Sequence, residues 1–84
     1  MDEKTKELIA IGASISANCQ PCLEYHTGKA REYGLNETDI KEAIEIGKLV
    51  RRGAASKMDK FASSLNEVSI SAQINNDKEC GCNK

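Results

Sequence analysis

Apolar residues recur at helical spacing through most of the chain. Leu8, Ile11, Gly12 and Ile15 fall on one stripe, which predicts a first helix over 3–17. Asp2 stands just before it, a residue type whose carboxylate caps helix starts. Glu7 lies at the edge of that stripe, on the side of Asn18. Leu23, His26, Ala30 and Tyr33 share a face with Cys22, predicting a second helix from Gln20 to Tyr33. Pro21 suits its first turn, where a missing N–H costs nothing, and Gly34 supplies the stop. Asn36 caps a third helix, with Glu37 and Asp39 in its first turn. Its buried stripe is expected to be Ile40, Ala43, Ile44, Gly47 and Val50. Ile46 and Leu49 lie off that stripe, and apolar surface on a second side suggests a subunit contact. Gly53 breaks the pattern, and a fourth helix is expected beyond it, aligning Ala54, Met58, Phe61, Ala62 and Leu65.

From Asn66 the chain turns polar, with weak alternation at Val68, Ile70 and Ala72 and no strand pattern strong enough to build a sheet. The expected fold class is therefore all-α: a helical domain over 1–66 and a polar, flexible tail over 67–84 carrying Cys80-Gly81-Cys82. A chain of 84 residues buries only about 60% of its unfolded surface, so the four-helix unit is expected to finish its core by oligomerising.

Charge narrows the partners. With 30% charged residues and a net charge of −1, nothing in the balance favours nucleic acid or an anionic membrane. Lys48, Arg51 and Arg52 form a short basic cluster that reads as a solvated helix end. No apolar run approaches the ~20 residues of a membrane span, and Met1-Asp2-Glu3-Lys4 is unlike a secretory signal. A cytoplasmic location is expected. Four cysteines in a reducing compartment point to redox chemistry or metal rather than a disulfide scaffold.

The chemistry concentrates in Cys19-Gln20-Pro21-Cys22-Leu23-Glu24-Tyr25-His26. Two cysteines three apart at a helix start can close a disulfide with little movement. The exposed N–H groups and positive dipole end there favour thiolate. Cys22 and His26 are i and i+4, on one helix face, and an imidazole beside a thiol promotes its ionisation. If the first two helices pack antiparallel, Glu7 approaches His26 and fixes its tautomer. This redox reading calls for no cofactor and no metal. The rival is a zinc or other metal site, with Cys19, Cys22, His26 and one tail cysteine as four tetrahedral ligands. A thioredoxin-like domain is set aside because no strand precedes Cys19.

The segment from Glu7 to Leu65 resembles the carboxymuconolactone decarboxylase/alkylhydroperoxidase D-like family. The resemblance is carried by Glu7, eleven intervening residues, then Cys19-x-x-Cys22-x-x-x-His26, with support from His26-Thr27, Gly34-Leu35 and the stretch from Glu37 to Ala43. It implies an all-α fold assembled as a homo-oligomer, commonly a trimer or hexamer. In the peroxidase-type branch it implies Cys22 as the peroxide-attacking thiolate, Cys19 as the resolving thiol, and His26 with Glu7 as the proton relay. Substrate would be a peroxide or disulfide and the partner a thiol reductant. Gln20-Pro21 stands where the family more usually carries a histidine- or tyrosine-containing pair. Cys80 and Cys82 lie outside the resemblance and are candidate relay thiols. Fully extended, the tail reaches about 45 Å from Asn66, enough to bring them to Cys19 and Cys22.

Overall fold

The computed structural model describes residues 1–70, with side chains through residue 65. Three helices follow one another: α1 (Glu3–Ser16), α2 (Gln20–Glu32) and α3 (Glu37–Ile70), with no strand among the described residues. The fold class is all-α. The chain divides into two units, Met1–Ala54 and a second beginning at Ala55.

Local chemistry sets each boundary. Asp2 accepts the Thr5 N–H at 2.7 Å, which opens α1 and holds the Asp2 carboxyl below its ordinary range. At the other end Asn18 takes a left-handed conformation, φ 57°. Its N–H donates to Ile15 O while the next N–H, of Cys19, donates to Ser14 O, so a Schellman motif closes α1. Gly34 does the same for α2 at φ 87°, with Gly34 N–H on Arg31 O and Leu35 N–H on Ala30 O. Asn36 then opens α3 by accepting the Asp39 N–H at 2.8 Å. The Arg31 guanidinium pairs with both Glu37 carboxylate oxygens across the α2–α3 turn, at 2.7 and 3.1 Å.

The expected third and fourth helices are one. The backbone stays helical through Gly53 and on to Ile70. A lone interior glycine costs a helix about 1 kcal/mol relative to alanine, too little to stop one. A break needs proline or a left-handed residue, and Gly53 is neither.

Each helix of the first unit supplies its core. Ile11 from α1, Ala30 from α2, and Ile40 and Ala43 from α3 are buried, with Leu8, Leu23, Leu35 and Ile44 packed around them. Helices α1 and α3 cross at two glycines. A methyl group on Gly47 would meet Gly12 O at 2.6 Å and Ile15 Cβ at 2.8 Å, so only hydrogen fits. The Ser16 hydroxyl ties the crossing by donating to Gly47 O at 3.2 Å. Of the expected α3 stripe, Val50 departs: it is exposed, as are Ile46 and Leu49. In the second unit Met58, Phe61 and Leu65 are exposed.

Candidate redox site

Cys19 serves two helices at once. Its backbone N–H closes the Schellman motif of α1, and its sulfur caps α2 by accepting the Cys22 N–H at 3.3 Å. The backbone of the connection is thereby pinned on both sides, and the two cysteines are brought to a Cα separation of 5.3 Å. Cys19 and Cys22 are joined as a disulfide. Cys22 is exposed while Cys19 is half-buried.

One turn beyond Cys22, His26 turns Nδ1 to Glu7 Oε1 at 2.7 Å. The carboxylate side chain is 12% exposed and the imidazole 29%. Glu7 stands on α1 and His26 on α2, nineteen residues apart, and antiparallel packing across the short Ala17–Cys19 connection brings them together. A carboxylate offers no hydrogen, so Nδ1 is the donor and Nε2 is the nitrogen left to take up a proton. The Tyr25 ring meets the imidazole edge-on, centroids 5.0 Å apart. The arrangement can therefore make and break a disulfide at one end of α2 and hold a proton one turn away.

A pocket of about 180 Å³ is lined by Cys19 together with Ser14, Ile15, Asn18, Leu23 and Arg51 among others. Arg51 Nη1 donates to Asn18 Oδ1 at 2.9 Å and to Ile15 O at 3.3 Å. The basic cluster is thus more than a solvated helix end: one of its members crosses to the C-terminus of α1, where free carbonyls attract a cation. Sequence reasoning missed this pairing. Asn18, one residue before the motif and of a type that tolerates the left-handed region, was its visible half.

Cys80 and Cys82 lie outside the described residues, so the relay thiols and the tail ligand of the zinc assignment find no position here. The two motif sulfurs are bonded to each other, and among the described residues no group of three or more His, Cys, Asp and Glu is placed to hold a metal ion. Nor, among those residues, is any helix long and apolar enough to cross a membrane.

Comparison with known proteins adds the family. The chain is similar to a protein of Paracoccus denitrificans described as "Uncharacterized protein 4 in cox locus", 35% identical over 69 residues. The match covers 81% of this chain but 62% of that protein, so the chain spans less than two thirds of the relative's length. No solved structure matches. The family model described as "Carboxymuconolactone decarboxylase family" matches residues 1–62, over the helices that carry Glu7, the cysteine pair and His26. The chain belongs to the carboxymuconolactone decarboxylase family.

Proposed function

We propose that the chain is a thiol–disulfide oxidoreductase of alkylhydroperoxidase type, acting on a peroxide or disulfide and reset by a thiol. The observation that carries this reading is the Glu7–His26 contact of 2.7 Å, made one helical turn from a bonded cysteine pair at a helix start.

In the peroxide reaction, the Cys22 thiolate attacks one peroxide oxygen and the O–O bond breaks. Cys22 becomes a sulfenic acid, and the departing alkoxide takes a proton relayed by His26, whose tautomer Glu7 holds. Cys19 then attacks the Cys22 sulfur, the S–S bond forms and water leaves. Exposed Cys22 suits it to meet the oxidant, and half-buried Cys19, capping α2, suits it to resolve. Subunits associate as trimers or hexamers through exposed apolar surface, in the cytoplasm, with no membrane or nucleic-acid partner.

The test is peroxide consumption by the pre-reduced protein, with mass mapping of the thiols before and after one equivalent. Two thiols should disappear into a Cys19–Cys22 link, and Cys22→Ser should abolish turnover. Full turnover by Cys22→Ser, or thiols that ignore peroxide, would reject the reading. The same maps report whether Cys80 and Cys82 enter the exchange.

A further inference from the structure

The oxidised pair must be reduced before it can act again, and the two sulfurs are not equally placed for that step. Cys19 lines the pocket that holds Arg51, whereas Cys22 does not. Arg51 is the charged side chain of that lining. Its Nη1 is engaged by Asn18 Oδ1 and Ile15 O, which fixes the guanidinium in place without neutralising it, since both acceptors are uncharged. A guanidinium has five N–H donors in a planar fork suited to carboxylates.

We infer that this pocket admits the reductant, that it selects a small thiol bearing an extra negative charge such as a carboxylate, and that the reductant attacks Cys19. The inference rests on the redox reading of the Cys19–Cys22 pair. Thiol–disulfide exchange proceeds by attack of a thiolate, itself an anion. A fixed cation in the wall of the pocket that Cys19 also lines therefore favours every thiolate that enters, and favours one carrying a carboxylate further.

The electrons balance over two exchanges. A reductant thiolate bonds to Cys19 Sγ as the Cys19–Cys22 bond breaks, and the bonding pair leaves on Cys22 Sγ, which takes up a proton. A second reductant thiolate attacks the reductant's own sulfur in the mixed disulfide. This frees the reductant disulfide and leaves Cys19 as a thiolate. The Cys22 N–H already directed at that sulfur is a ready donor to the new anion. Two thiols become one disulfide, and the protein disulfide becomes two thiols.

Three monothiols test this on the full chain: 3-mercaptopropionate (anionic side group), 2-mercaptoethanol (neutral) and cysteamine (cationic). Rates are compared at equal thiolate concentration, each divided by the same thiol's rate on a small neutral disulfide, which removes intrinsic nucleophilicity. In low salt the ratios should rise about fivefold per unit of negative charge, and should converge as salt is added. Arg51→Gln should flatten the series, and Arg51→Lys should keep it. Acid-quenched samples should carry the thiol adduct on Cys19.

Since Arg51 also supports the end of α1, the readout is the spread among the thiols rather than any absolute rate. An Arg51→Gln protein that slows all three equally, or keeps the wild-type spread, overturns the inference, as does an adduct on Cys22. A wild-type disulfide that none of the three can reduce removes the redox reading as well.

Discussion

With Glu7 as a carboxylate, the hydrogen it shares with His26 comes from the imidazole, and that assignment gives the site its polarity. With Nδ1 occupied at 2.7 Å, the ring presents Nε2 as its proton acceptor. Glu7→Gln reverses the logic, because an amide can donate to Nδ1 and move the ring hydrogen to Nε2. The expected result is a change of tautomer in the nitrogen-15 spectrum of the chain's single histidine, with peroxide turnover lowered about 10²–10⁴-fold. An unchanged tautomer would separate Glu7 from the relay. The proximity itself was legible in the sequence. A short connection between two helices makes them antiparallel neighbours, with Glu7 about three turns before the connection and His26 about two turns after it, near enough for their side chains to approach. Arg51 was not legible, because its acceptors lie 33 and 36 residues upstream and are reached only through the crossing of α1 and α3. One of them is a backbone carbonyl, which no residue identity announces.

Two glycines of α3 show why element boundaries and element contacts are read differently. Gly47 falls on the buried stripe expected of the third helix, whereas Gly53 is expected to break the pattern. Gly47 is where α1 touches, and Gly53 has nothing within 4 Å of an added Cβ. Taking Gly53 as a break split one helix into two, since sequence alone does not say whether a glycine turns the chain or merely lacks a side chain. The pair predicts opposite outcomes for one substitution. Gly53→Ala should stabilise α3 by about 0.5–1 kcal/mol, raising the melting temperature by about 2–8 °C. Gly47→Ala should cost about 1–3 kcal/mol, because its methyl meets the Gly12 carbonyl and the Ile15 side chain, and one helix must move. Melting curves of the two variants beside wild type decide both, and equal shifts would contradict the packing. Gly47→Ala also probes the site, since Arg51 lies one turn further along α3 and reaches Cys19's pocket only while α1 stays close.

Among the described residues four apolar side chains are buried, a thin core, and the first unit leaves conspicuous apolar surface outside it. Ile9, Ile46 and Val50 are each more than half exposed, yet together with Leu8, Gly12 and Ala43 they line a groove of about 510 Å³ between α1 and α3. Leu49 lies on the same helix and is 59% exposed. A continuous patch of this kind costs free energy in water, and burying a single Ile or Leu side chain recovers roughly 1.5–3 kcal/mol. A second copy of the chain supplies like surface, and self-association removes both patches from water together. The expected outcome is an oligomer in sedimentation equilibrium at micromolar concentration, with a melting temperature that rises with protein concentration. Ile46→Glu should shift the protein to monomer and abolish that dependence, because a carboxylate placed in the contact must be desolvated without a partner. The exchange chemistry separates stability from assembly: if the redox site is complete within one chain, monomeric Ile46→Glu retains the reducible Cys19–Cys22 pair wherever it remains folded. Wild-type protein that sediments as a monomer at every concentration would mean that the groove is tolerated exposed, and the small core would then have to hold the fold alone.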